Sequence, residues 1–453
     1  MQWYKIFMPE LAELIETKSL KELGEFLRRF HPADIVDILR ELPATDRVLA
    51  FRLLDKAKIA WVFSLMEPDE QEILLKQFTE QRVKEILLEM GPDDRAQFLE
   101  ELPADLVKKL LALLPAQEKE TTNLILNYPS GTAGRLITTE YVDLTPEMTA
   151  QEAIDQVRRT GLDKETIYVC YVVDKTHKLV GVCSLRDIIL APPSRKIQEL
   201  MNPMVFCVKT TDDQEQAAQV IQKYDFLAVP VVDQEDRLVG IVTVDDVLDV
   251  VQAEATEDMQ KMAAVGRPEE GYFTLGFFES VHKRVPWLVI LLVIQTFTGN
   301  IIHFFEGTLH SMIVLSYFIP LVISVGGNIS AQSSTVVIRG LATGDLKPPF
   351  WWAIIKRELL MGALLGLILG LIAIARVMFW SHDITISLAV AASVVAIAFV
   401  GNLWGAFAPL VFRRFRLDPA VASAPLMATV MDLAGLSIYF GTVVSILHLA
   451  GIV

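Results

Sequence analysis

The chain has 453 residues, is 52% hydrophobic and carries a net charge of −15, with a mean hydropathy of +0.39. Such a length allows two to four domains, and the acidic balance argues against a nucleic-acid partner. The charge is uneven: residues 286–453 hold eight Lys/Arg against six Asp/Glu, a net +2, so the first 285 residues carry −17. An acidic soluble half joined to a slightly basic, apolar half is expected. The N-terminus runs straight into a charged helical pattern, so no cleavable signal peptide is expected. Cys170, Cys183 and Cys207 lie in apolar, strand-like runs; they are expected as reduced core residues, and their spacing is not that of a zinc site.

Residues 1–135 read as an all-α repeat. L-P-A-T-D (42–46), E-P-D-E-Q (67–71), G-P-D-D-R (91–95) and L-P-A-Q-E (114–118) recur about every 24 residues. Each is a helix stop, followed by Pro in the first turn of the next helix with acids behind it. Apolar residues then recur at helical spacing, as in Val48, Phe51 and Leu54. A superhelix of helix pairs follows, and His31 is expected to be structural.

Residues 136–200 and 201–252 form a tandem. Y-V-V-D-K-T-H-K-L-V-G-V-C-S-L-R-D-I-I (171–189) aligns with P-V-V-D-Q-E-D-R-L-V-G-I-V-T-V-D-D-V-L (230–248) at a period of 59, matching Gly181 to Gly240 and Asp187 to Asp246. Each reads strand, turn, strand, then a helix capped by Ser184 or Thr243. The pair resembles two α/β CBS domains. That resemblance implies an adenine nucleotide such as ATP, on Ser184, Arg186, Asp187, Phe226 and Thr243; a dimerisation module without ligand is the alternative. The second repeat ends in an acidic run of Asp245, Asp246, Asp249, Glu254, Glu257 and Asp258, with only Lys261 nearby. Like charges at helical spacing repel, and hard divalent cations prefer such oxygen ligands. A merely solvated face is the alternative.

Residues 253–285 read as a polar connecting helix ending near Gly266 and Pro268, then an amphipathic piece, F-F-E-S-V-H-K-R. Beyond it, apolar runs near 286–305, 311–335, 353–379, 385–411 and 421–448 are each long enough to cross a bilayer. Lys283, Arg284, Arg339, Lys347, Lys356, Arg357, Arg413, Arg414 and Arg416 all fall on one side of that path. The positive-inside rule then puts the soluble half in the cytoplasm and the C-terminus outside. The second run contains V-G-G-N-I-S-A-Q-S-S (325–334), with close-packing glycines and polar Asn328, Ser330, Gln332 and Ser333. The last contains P-L-M-A-T-V-M-D, with Asp432 near the middle of the span. A carboxylate there costs roughly 2.5–3.5 kcal/mol and marks an ion path by default. Pro425, Ala428 and Asp432 share a face, and the proline is expected to loosen the helix and free carbonyls near Ala428. The alternative is a kinked packing helix with a protonated Asp.

Helical repeat, CBS pair, acidic linker and five spans, in that order, resemble the MgtE family of magnesium transporters. The most specific pieces are G-G-N-x-x-x-Q (Gly326 to Gln332), Asp418-Pro419 and P-x-x-A-T-x-x-D (Pro425 to Asp432). The resemblance implies a homodimer in the lipid of the inner membrane whose second and fifth spans line a pore. Asp432 would hold a hydrated Mg²⁺ with the Ala428 carbonyl, beside Asn328, Gln332 and Thr429. It also implies cation sensing by Asp93, Asp213, Glu215, Asp225, Asp246, Asp249, Glu254, Glu257, Asp258 and Asp418, whose mutual repulsion at low Mg²⁺ would open the pore. Ala331 and Ala424 stand where the family pattern has Asn, which admits Co²⁺ or Fe²⁺ as the cargo. Trp61, Gln97 and Arg135 stand where it has Glu, Asp and Gly, which implies altered gating. No enzyme activity is expected. A reading from another class is a non-conducting, membrane-anchored nucleotide sensor.

Overall fold

The structure is a computed structural model of one chain and describes residues 3–17, 19–100, 102–264, 277–346, 351–415 and 417–451. Gly266, Pro268, Lys347 and Arg416 lie outside these. Two compact units are present, Met1–Gln252 and Ala253–Val453.

In the first unit, ten short α-helices run from Met8 to Leu126 among the described residues. They share one apolar core, with Leu27, Ile35, Leu39, Phe51, Phe63 and Ile86 fully buried. Pro32, Pro68 and Pro92 open their helices. Pro43 and Pro115 instead occupy the N-cap, one step earlier than expected. Their extended ψ of 150° and 158° turns the chain into the helix from outside it, and a residue lacking N–H is tolerated at either position. His31 is structural, as its ring Nδ1 accepts from the Ala33 N–H at 3.3 Å and caps Pro32–Glu41.

The tandem follows as two three-stranded sheets of the same topology. Val142–Leu144 pairs in parallel with Val169–Val173, which pairs antiparallel with Leu179–Ser184. Val208–Lys209, Ala228–Val232 and Leu238–Thr243 repeat that order. The glycines of the repeat have one role. A Cβ on Gly240 would lie 2.7 Å from the Thr138 carbonyl, and one on Gly181 would lie 2.7 Å from Met201 Sδ. At each, the strand is crossed closely by the segment that enters a CBS repeat. Cys170 and Cys183 are buried cross-strand neighbours. Cys207 is exposed, against expectation, because it precedes the short strand Val208–Lys209 and is not inside it.

In the second unit, five helices are long and apolar enough to cross a membrane among the described residues: Ser280–Phe304, Ile313–Ala342, Trp351–Ser381, Ile384–Arg414 and Ala424–Leu449. The F-F-E-S-V-H-K-R piece is not separate; it forms the first turns of the continuous helix Phe277–Phe304. Glycines bring the spans together. Cβ atoms on Gly362, Gly366 and Gly370 of the third span would lie 2.8–3.0 Å from Asn402 and Val395 of the fourth. One on Gly405 of the fourth would collide with the Ser330 carbonyl of the second. Small residues allow this backbone approach, which drives helix association where lipid offers no hydrophobic force.

Candidate functional site

Asp432 is the ninth residue of the 26-residue helix Ala424–Leu449, so it sits in the first third of the span and not near its middle. Pro425 falls in the first turn, where no N–H is missed, so it starts the helix and does not kink it. The Ala428 carbonyl therefore lies within continuous helix. Gly327 of the second span packs here: a Cβ on it would lie 3.2 Å from Ala428 Cβ and 4.0 Å from Asp432 Oδ1. Gln295 of the first span hydrogen-bonds the Asp432 carboxylate, a partner that the hydropathy pattern alone did not single out. Asn328 and Gln332 are exposed along one face of the second span with Ser324, and Asn328 Nδ2 donates to Ser324 Oγ at 3.2 Å. Thr429 is elsewhere: it is buried and its hydroxyl donates to the Pro425 carbonyl at 2.8 Å.

The sensor candidates separate into distinct groups. Asp93 and Asp94, at the start of Pro92–Glu100, act electrostatically on Asp245, Asp246 and Asp249 at the start of Val244–Met262, and on Glu165. Burial first, with the neighbouring carboxylates behind it, pushes Asp93 and Asp94 above the usual carboxylate range, Asp94 against a hydrogen bond to Ser64. Burial pushes Asp246 up to about 7, against a hydrogen bond from Thr243 Oγ1 at 2.7 Å. Asp94, Glu165 and Asp245 belong to this group although family likeness had not singled them out.

A second group lies within the other unit. Lys261 Nζ sits 2.5 Å from Asp418 Oδ2 and 2.6 Å from Glu257 Oε1. Asp258 is raised by burial and by the Asp418 charge, while Lys261 opposes the rise. The expected mutual repulsion of these acids is thus offset by an internal ammonium. Glu254 lies on the same helix. Asp213 caps Gln214–Tyr224, accepting from the Glu215 N–H at 2.9 Å, and Asp225 ends that helix in the left-handed region. Asp213, Glu215 and Asp225 are exposed. Among the described residues, no three His, Cys, Asp or Glu side chains are close enough to hold one metal ion.

Ser184, Arg186 and Asp187 line an open cleft with Tyr168, Ile189 and Leu190. Ser184 Oγ donates to Asp187 Oδ2 at 2.7 Å and accepts from the Asp187 N–H. Phe226 and Thr243 do not line that cleft: Phe226 stacks on Tyr224, and Thr243 serves Asp246. Thr243 is the second repeat's counterpart of Ser184, so these residues are divided between the repeats and not gathered in one pocket. Trp61 packs edge-on to His31, Gln97 is exposed, and Arg135 Nε pairs with Glu100 at 2.9 Å.

Family models match at residues 319–442 (MgtE, divalent cation transporter), 30–131 (MgtE intracellular N domain), and 133–194 and 197–253 (CBS domain). Proteins named magnesium transporter MgtE are similar along nearly their whole length. The one from Thermus thermophilus is 41% identical over 95% of this chain and 96% of its own. The one from Bacillus subtilis is 33% identical over 96% of each. The solved cytosolic domain of the Mg²⁺ channel MgtE in complex with ATP is 43% identical, with a TM-score of 0.51 over 53% of this chain and 98% of that one. The solved soluble part of a magnesium transporter is 34% identical, with a TM-score of 0.52 over 55% and 99%. With relatives of this identity spanning both the soluble half and the five apolar helices, the chain belongs to the MgtE family of divalent cation transporters, multi-pass membrane proteins with a soluble N-terminal region.

Proposed function

We propose that the chain is a homodimeric Mg²⁺ channel or transporter whose permeation path runs between the second and fifth spans, past Asp432. The observation that carries this reading is the polar column of Ser324, Asn328 and Gln332, which faces outward from the single chain at membrane depth. Uncovered polar groups at that depth are unfavourable. A second copy placed against this face would enclose a wet path bordered by Asp432. Mg²⁺ dehydrates reluctantly, so one carboxylate and neutral groups contacting its water shell are suitable partners. Lys283, Arg284, Arg339, Lys356, Arg357, Arg413 and Arg414 favour a cytoplasmic soluble half and an outward C-terminus.

The soluble acids respond to the cargo on this reading. Cytoplasmic Mg²⁺ bound at Asp93 and Asp246, and at Glu254, Glu257, Asp258 and Asp418, favours the closed state, and its loss favours opening. Asp213, Glu215, Asp225 and Asp249 would contribute to the same acidic field. The donor chemistry suits a hard divalent cation. The Ser184–Asp187 cleft is the nucleotide site, with ATP as its ligand. A second reading, with Co²⁺ or Fe²⁺ as cargo, rests on Ala331 and Ala424, which stand where the family pattern has Asn.

Liposome uptake tests this. Asp432→Ala is expected to lower Mg²⁺ flux about tenfold or more, as loss of a charged ligand implies. Wild-type flux in that variant would falsify the pore reading. Competition among Mg²⁺, Co²⁺, Fe²⁺ and Mn²⁺ identifies the cargo.

A further inference from the structure

The third span carries a second carboxylate within the membrane domain. Glu358 is the eighth residue of Trp351–Ser381, about 10 Å along the helix at 1.5 Å per residue. Asp432 is the ninth residue of Ala424–Leu449, about 12 Å along its own. The second span orders the two acids: Gly327 lies beside Asp432 and Ser333 beside Glu358, about 9 Å apart along that helix at 1.5 Å per residue.

Glu358 is half-buried, and its partners are neutral donors on two other spans. Its Oε2 accepts from the Ser333 hydroxyl of the second span at 3.0 Å and from the Asn402 amide of the fourth at 2.9 Å. The Asn402 amide also donates to the Glu358 backbone carbonyl at 2.7 Å, and the Ser333 hydroxyl reaches the Asn402 carbonyl at 3.1 Å. Ser333 and Asn402 are 5% and 3% exposed. Three spans therefore meet at one carboxylate oxygen, where close glycine packing leaves little slack.

The connection to permeation is rotational. Ser333 directly follows Gln332, and successive helical residues are about 100° apart. Holding Ser333 inward fixes the direction in which Ser324, Asn328 and Gln332 face outward. Hydrogen bonds to a charged acceptor hold such an angle more firmly than neutral ones, and an ionisable group held among packed spans is expensive to keep without a function.

We propose that Glu358 is a positioning residue of the permeation path, acting through Ser333 to set the rotation of the second span and so the geometry that Asn328 and Gln332 offer a hydrated divalent cation. It rests on the reading of the second and fifth spans as pore-lining, and goes beyond it in assigning the third span a part.

The test uses full-length protein in liposomes, with Mg²⁺ and Co²⁺ uptake measured beside the melting temperature in detergent. Glu358→Gln keeps the shape and removes the charge. It is expected to lower Mg²⁺ flux about tenfold, the scale of lost charge-assisted hydrogen bonds, and to change the Mg²⁺/Co²⁺ ratio in protein that still melts cooperatively. Moving the carboxylate across the contact, in Glu358→Gln with Asn402→Asp, is expected to restore about half of that flux or more. Ser333→Ala should shift the ratio in the same direction, by less. A folded Glu358→Gln with wild-type flux and ratio, measured beside an inactive Asp432→Ala, overturns the positioning role alone. Wild-type flux in both variants overturns the pore reading and this inference with it. Flux that falls only as folded protein is lost, with no recovery in the exchanged pair, also overturns the inference.

Discussion

The two acidic groups settle the same problem in opposite ways. Around Asp246, the charges acting on Asp93, Asp94, Glu165 and Asp246 are all carboxylates, and burial drives these acids towards protonation. Around Asp418, a lysine of the chain itself sits between two acids. A divalent cation arriving at the first group relieves repulsion and releases protons. At the second it must compete with an ammonium already in place. The difference teaches that a row of acids in a sequence does not measure demand for metal; what matters is what else is buried with them.

The largest expected effect tests the uncompensated group. Asp246→Asn with Asp93→Asn removes buried like charges without changing shape. A pH unit of raised pKa is worth about 1.4 kcal/mol, and about 2–4 °C accompanies each kcal/mol in a unit of this size. Without divalent cation, melting of the full-length protein should rise by about 10 °C. The further rise on adding Mg²⁺ should shrink markedly. Unchanged melting with a full Mg²⁺ increment would break the comparison.

Acid should imitate that substitution. The folded-state pKa values of Asp93, Asp94, Glu165 and Asp246 lie above their unfolded values, so the folded state binds more protons. Stability is then gained as pH falls from about 7, the raised position of Asp246, towards the ordinary carboxylate value near 4. It is lost as pH rises through about 7. Melting curves at pH 8 and 6, with and without Mg²⁺, check this: the Mg²⁺ increment should be smaller at pH 6. An increment equal at both would show that protons and metal act at different places.

The smallest effect belongs to Lys261. Lys261 and Asp418 are each about one-third exposed, so Lys261→Gln should change stability by no more than about 1 kcal/mol. It should nevertheless make protease protection of residues 253–264 more dependent on Mg²⁺, because Glu257, Asp258 and Asp418 lose their internal cation. Identical protection curves would mean the lysine is an ordinary surface partner.

Much of the architecture was legible from pattern. Five apolar runs gave the spans, since hydropathy over that length has few alternatives, and the period of 59 gave the paired sheets. The site was less legible. Pro425 suggested a kink because a motif does not reveal where a helix starts. Thr429 fell within the motif, yet its hydroxyl serves its own helix. Nothing in the pattern singles out Glu358: its partners Ser333 and Asn402 lie on other spans, far away in sequence. Gln295 and Lys261 act across long sequence separations, which periodicity does not report.

The glycine contacts have a consequence for genetics. A saturation screen for ion uptake would score Gly362, Gly366, Gly370 and Gly405 as intolerant as Asp432, because even one added methyl group there meets a neighbouring helix. Such hits would map the seams of the bundle and not its conduit. Gly299 and Gly441 differ: a Cβ on either meets nothing within 4 Å in the single chain. Tolerance at these two would mark lipid-facing surface. Intolerance there would trace the footprint of the second copy, giving an outline of the assembly from growth phenotypes alone.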